Sequence, residues 1–259
     1  MYENSRDVLI AVALKYQGKW NQMYKAISLR EYPEKEYFDC IPLLKSKVLT
    51  LLDPEYPPFL KMVHHPPLVL FYYGDLNILN DYYKNVSIVG SRSCTEYGIE
   101  ITEEITKGLV NKGFVIVSGL ASGIDAVAHR SCIESGGKTV AILGSGIDVC
   151  FPSENKDIYN IIKKEHLLIS EYPGLSIPEG SNFPIRNRII AGLSKTVVVT
   201  EASPLSGSLI TAGLALSINA DVMCVPHIAG INSGCNRLIK SGAFLVESAD
   251  DVISQMSKF

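Results

Sequence analysis

Four turns in this chain pair glycine with serine: VGSRSCTEYG (89–98), SGLASGID (118–125), LGSGIDVCFP (143–152) and TEASPLSGSLITA (200–212). Glycine lets backbone N–H groups come close to an anion, and a helix that follows adds the positive end of its dipole. One such turn says little. Several on one edge of a fold would hold several phosphates, or one phosphate chain. The cations near them are few: Arg92 in the first turn, Arg186 and Arg188 in NFPIRNRIIAGLS (182–194), and Lys138 and Lys156. Arg92 stands where a glycine turn meets a helix start, which favours an anion as its partner. Arg186 and Arg188 each have two open readings: a structural bridge to Glu171 or Glu201, or a contact with ligand. Phe151, Tyr172 and Phe183 lie near the same turns and read either as stacking surfaces for bases or as core.

Other chemistries fit less well. The first turn holds Gly90 and Gly98 but no GxGxxG, and the next strand ends in Val117-Ser118-Gly119, where a dinucleotide enzyme offers an acid to the ribose. No GxxxxGK[ST] occurs, which excludes a P-loop. Asp125 and His129 stand four apart, but two ligands make a poor metal site. A helix-capping Asp125 with His129 packed beneath it is the simpler reading. A general acid or base at these turns would have to be Glu201, Asp125 or Glu171. The six cysteines, Cys40, Cys94, Cys132, Cys150, Cys224 and Cys235, contain no CxxC pair. Without a secretory signal they read as buried thiols of a reducing cytoplasm. The expectation is no metal and no cofactor.

The elements that would place these turns follow from the hydrophobic pattern. Apolar, β-branched runs without polar alternation mark strands covered on both faces: Val86–Val89, Phe114–Val117, Thr139–Leu143, Leu167–Ser170, Lys195–Thr200, Asp221–Val225 and Ala243–Val246. Between the first two, Tyr97, Ile101, Ile105 and Leu109 recur every four residues, which predicts a helix over 97–112 ended by Gly113. The alternation predicts an α/β fold with a doubly wound, mostly parallel Rossmann-like sheet, whose ligands bind beyond the carboxyl ends of the strands. Pro54, Pro57, Pro58, Pro66 and Pro67 exclude a long helix before it. Residues 51–80 therefore read as a linker with a lead-in strand, Leu68–Tyr73. Residues 1–50 read as a small helical domain, and 81–259 as the Rossmann-like domain.

The charge balance limits what the turns could bind. The chain has 259 residues and a formal charge of −3. Residues 1–80 hold nine Lys/Arg and nine Asp/Glu, and residues 81–259 hold fifteen and eighteen. Neither part carries the basic excess usual for nucleic-acid binding. A polyanion site must then be a local patch built partly from backbone donors. The apolar run Val8–Leu14 is too short to span a bilayer and lacks a basic flank, so no membrane partner is expected.

VSIVGSRSCTEYG, VIVSGLASGIDAVAHR, GKTVAILGSGIDVCFPSEN, LISEYPG, NFPIRNRIIAGLSKTVVVTEASPLSGSLITA and GCNRLIKSGA together resemble the DNA-processing protein A family, also called Smf. The resemblance runs from about Leu51 to Asp251. It implies a cytoplasmic, non-catalytic protein that binds and protects single-stranded DNA, forms a homodimer and loads the RecA recombinase during natural transformation. By motif, it implies that Arg92 contacts DNA and that Phe183 sits near a base-accepting pocket. Gly90 to Arg92, Gly119, Ser122 and Gly123, and Ser206, Gly207 and Ser208 would hold backbone phosphates. Arg186, Asn187 and Arg188 would form a local basic mouth, with Lys138 and Lys156 beside it. Dimerisation would use Leu238, Ile239, Phe244 and Leu245. Residues 1–50 resemble a reduced form of the family's small helical domain, of SAM or helix-hairpin-helix type, and the winged-helix-like C-terminal domain of many relatives is not expected. Ser153 and Gly180 replace lysines found in some relatives, which lowers the charge of the patch. More distantly, the Rossmann-like part resembles nucleotide phosphoribohydrolases of the LOG type, but TEASPLSGSLITA lacks their PGG and carries Glu201 ahead of the glycine. A dimeric nucleotide sensor using the same turns is a third reading.

Overall fold

The computed structural model describes residues 4–256. Residues 1–3 and 257–259, which the sequence reading gives to the first and last domains, lie outside the described residues. In chain order the elements are α1 (Ser5–Lys15), α2 (Trp20–Ser28), α3 (Lys35–Cys40), β1 (Lys47–Thr50), β2 (Val69–Gly74), β3 (Asn85–Gly90), α4 (Glu96–Asn111), β4 (Val115–Ser118) and α5 (Ile124–Glu134). They continue with β5 (Thr139–Gly146), α6 (Lys156–Glu165), β6 (Leu167–Tyr172), α7 (Asn182–Gly192), β7 (Thr196–Glu201), α8 (Gly207–Ser217), β8 (Asp221–Cys224), α9 (Gly234–Lys240), β9 (Phe244–Leu245) and α10 (Ala249–Met256).

The strands form one sheet in the order β1-β2-β6-β5-β4-β3-β7-β8-β9. From β6 to β9 every pair is parallel, and β1 and β2 add an antiparallel margin against β6. The expected strand near residues 68–73 is β2, paired Phe71 to Ser170 and Gly74 to Leu167. Strand β1, which the sequence pattern does not reveal, is four residues long and pairs with it. The winding runs outward from β3 through β4 and β5 to β6, then returns to place β7 on the other flank of β3. The switch point therefore lies between β3 and β7, where a doubly wound sheet opens a crevice.

The period of two along each strand splits the core into two layers. In β7, Val197 and Val199 face α7 and α8, while Val198 faces the α4, α5 and α10 side. In β3, Val89 joins the first group and Val86 and Ile88 the second. Helices α1, α2 and α6 cover the β2, β5 and β6 part of that second face. Helix α7 carries the chain back across the sheet and is buried without interruption from Arg186 to Gly192. Buried polar groups stitch it to β3: Ser87 Oγ donates to the Ile190 carbonyl at 2.9 Å, and the Asn85 amide donates to the Leu193 carbonyl at 2.9 Å. That seam holds the two sides of the switch point in register.

Candidate nucleic-acid interface

A cleft of about 810 Å³ opens at the switch point. The turn after β3, the start of α7 and the turn before α8 line it. Of the residues expected to bind DNA, it brings together Gly90, Ser91, Arg92, Phe183, Arg186, Asn187, Ser206, Gly207 and Ser208. Ser93, Pro178, Gly180 and Thr211 complete its walls, with Phe151 at the rim.

Arg92 is the exposed cation of the cleft. It has no hydrogen-bonding or acidic partner among the described residues, and its guanidinium lies 5.5 Å from the centre of the Phe183 ring. A cation over an aromatic face gives one surface that attracts phosphate and another on which a base can stack. Phe151, 44% exposed, extends that surface with its ring centre 5.4 Å from that of Phe183. The turn holding Arg92 is tied at both ends. The Ser91 N–H donates to the Glu201 carbonyl at 2.8 Å, and the Thr95 hydroxyl and N–H donate to the Glu201 carboxylate at 2.7 and 3.0 Å. From below, Gly123 sits at φ +74°, and a Cβ there would strike the Ser91 and Arg92 carbonyls.

These ties change what the glycine turns can do. Thr95 is the N-cap of α4, and Glu201 already holds a negative charge at that helix end. A carboxylate at a helix N-terminus takes the place a phosphate would fill. The turn before α5 is filled the same way. Asp125 Oδ2 accepts from the N–H groups of Gly119 at 3.1 Å and Ala121 at 3.3 Å. The Ser122 hydroxyl donates to Glu154 at 2.6 Å. The Gly119 and Ala121 N–H groups and the Ser122 hydroxyl are therefore engaged, and of residues 119–123 Ala121 alone lines the cleft. The turn before α8 is open by contrast. Ser206 caps that helix, and the Gly207 N–H has no acceptor among the described residues.

The two arginines of the quoted motif are both buried, at 3% exposure for Arg186 and 5% for Arg188. Arg186 Nη1 donates to the carbonyls of Gly119 (2.6 Å) and Ile142, which pins α7 over the ends of β4 and β5. Burial lowers the Arg186 pKa to about 10, although Asp125 opposes the shift, so it stays charged at neutral pH and adds positive potential under the cleft. Burial raises the Asp125 pKa, with Arg186 opposing that shift. Arg188 turns away from the cleft. It donates to Glu171 Oε1 at 2.6 Å and to the carbonyls of His65 and Ile185 at 2.7 and 2.9 Å. Of the two readings open for Arg188, the bridge to Glu171 is the one present.

Two further candidates stand apart. Lys138 precedes β5 and lies exposed at the opposite edge of the sheet, the amino ends of the strands. Lys156 is exposed at the start of α6, with Nζ 4.7 Å from the Tyr159 ring centre, and does not line the cleft. His129 Nδ1 is 2.7 Å from the Thr139 hydroxyl, and burial holds its pKa at about 3. Among the described residues no group of three metal-ligating side chains occurs, and no helix is long and apolar enough to cross a membrane. At the far margin, Leu238, Ile239 and Phe244 pack partly on the core, and Leu245 is 47% exposed on the two-residue edge strand β9.

Known proteins share this sequence and this fold. The sequence profile of DNA recombination-mediator protein A matches residues 47–257. Protein Smf of Synechocystis is 45% identical over 212 residues, 80% of this chain and 53% of that protein. DNA processing protein DprA of Streptococcus pneumoniae is 43% identical over 208 residues, 80% of this chain and 73% of that one. An X-ray structure of the pneumococcal protein is similar with a TM-score of 0.82 and 36% identity, covering 96% of this chain and 92% of that one. A structure of DNA processing protein A from Helicobacter pylori, described for its single-stranded DNA binding mode, gives 0.74 and 28%, covering 83% and 97%. This chain thus spans about half the length of the cyanobacterial relative and most of the pneumococcal one, and it belongs to the DNA recombination-mediator protein A family.

Proposed function

We propose that the switch-point cleft binds the backbone of single-stranded DNA and that the protein acts in the cytoplasm as a non-catalytic mediator of recombination. The observation that carries this reading is the pairing of an exposed Arg92 with Phe183 beside the open end of α8. It offers a phosphate contact and a stacking face together, which suits a strand with unpaired bases. Duplex DNA shields its base faces and would use only the charge. The similarity to a Helicobacter protein described for single-stranded DNA binding supports the same ligand class. The acids available for catalysis support binding over turnover, because Glu201 caps α4, Asp125 holds backbone amides and Glu171 is paired with Arg188. We infer further that Leu238, Ile239, Phe244 and Leu245 form an isologous dimer face, and that the bound strand is handed to a RecA-type recombinase.

Fluorescence anisotropy with oligo(dT) and with a blunt duplex of equal length tests the ligand class. Preference for the single strand is expected, and equal affinity for both would sink the reading.

A further inference from the structure

Beside the cleft, across Pro184, lies a second pocket of about 390 Å³. Its walls come from α2, the 64–65 turn and the start of α7. Three features show what it is built to take. First, a column of rings ends there. Tyr24 stacks on Trp20 with ring centres 4.9 Å apart, Trp20 on His65 at 4.0 Å, and His65 meets His64 at 3.8 Å. His64, His65 and Trp20 line the pocket. Second, Asn182 lines it too, is only 5% exposed, and its side-chain amide has no hydrogen-bond partner among the described residues. The rest of the residue is packed away, so the amide is the part left accessible for a ligand to pair with. Third, the cations on the walls are already paired, Lys19 with Glu179 at 2.9 Å and Arg188 with Glu171 at 2.6 Å. An aromatic wall, an unpaired amide and neutralised charge suit a flat neutral heterocycle and not a phosphate.

We propose that this pocket is a nucleobase subsite for the strand as it leaves the cleft over Pro184, with the base stacked at the His64–His65 end of the column and its edge read by Asn182. The inference rests on the reading of the cleft as the DNA site. An amide both donates and accepts, which matches the N6 and N7 pattern of adenine and not the paired O6 and N7 acceptors of guanine, so adenine is the base to test at that position. The subsite joins the N-terminal helical segment to DNA recognition.

The protein's single tryptophan, Trp20, reports directly on the pocket. Oligo(dA) of about four nucleotides fills the cleft alone, and about twelve nucleotides reach the pocket as well. Anisotropy is followed beside Trp20 emission, with wild type, Asn182→Ala and His64→Ala. The longer strand should change Trp20 emission and the shorter one should not. Each substitution should weaken the longer strand about tenfold, the scale of one lost base stack, and leave the shorter unchanged. His64 is exposed, so its variant keeps the test valid where Asn182→Ala disturbs the start of α7. Long-strand binding with unaltered emission and full affinity in His64→Ala overturns the subsite alone. No binding of either strand overturns the cleft reading and the subsite with it.

Discussion

Arg188→Ala separates structure from recognition in the NFPIRNRIIAGLS segment. The substitution removes three donated hydrogen bonds, to Glu171, His65 and Ile185, from a site where the two charged side chains are 6% and 3% exposed. Breaking one partner of a buried ion pair strands the other charge, at about 3–5 kcal/mol. For a chain of this size that lowers Tm by on the order of 10 °C. The pH dependence has a definite sign. Burial already raises the Glu171 pKa with Arg188 opposing, and removing Arg188 raises it further. A carboxyl whose folded pKa lies above its unfolded value binds more protons when folded. Relative to wild type the loss is therefore largest above the variant's further-raised pKa and shrinks as pH falls toward the wild type's own raised value. Melting curves from neutral pH down to the carboxylate range measure this. A variant that melts within about 2 °C of wild type at neutral pH, below what the buried pair requires, would refute the assignment of Arg188 to the core.

Arg92→Ala should do the reverse, leaving Tm unchanged while weakening oligo(dT) by roughly 1–3 kcal/mol and reducing the salt slope by about one or less. Full affinity in a folded protein would move the DNA site elsewhere. Gly123→Ala should cost at least ~1–2 kcal/mol from its positive φ and also weaken DNA binding by displacing the Arg92 turn, read by melting and anisotropy together. Ile239→Glu with Leu245→Arg should give monomers by light scattering and lower avidity for long strands. An unaltered protein that is already monomeric at tens of micromolar refutes that face.

The strands were legible because β-branched runs buried on two faces leave little else for the chain to do. The turns at their carboxyl ends followed from topology. What distant partners decide was not legible. Strand β1 is four residues whose only signature is its pairing with β2. The carboxylate that caps α4 lies 106 residues from Thr95, and no local pattern joins them. The same holds for Arg188, where one spacing fits an ion pair or a DNA contact until Glu171 is seen against it. Lys138 is different, because its place could have been read. It precedes a strand of a parallel sheet, and residues before the strands sit at the edge away from the ligand. Asn182 gave no warning, since an asparagine opening a helix is most simply a cap.

The protein's own carboxylates at the α4 end and the 119–121 amides bear on competition. A free nucleotide carries its charge in one compact cluster and needs neighbouring anchors that all grip at once. With those two anchors filled from within, the open contacts are spread out and individually weak. A polymer gathers them along its length, and each added contact multiplies the hold of the others. Under the proposed reading the cleft then acts as a length filter, holding a strand firmly while remaining nearly blind to the abundant mononucleotides that share its phosphate chemistry.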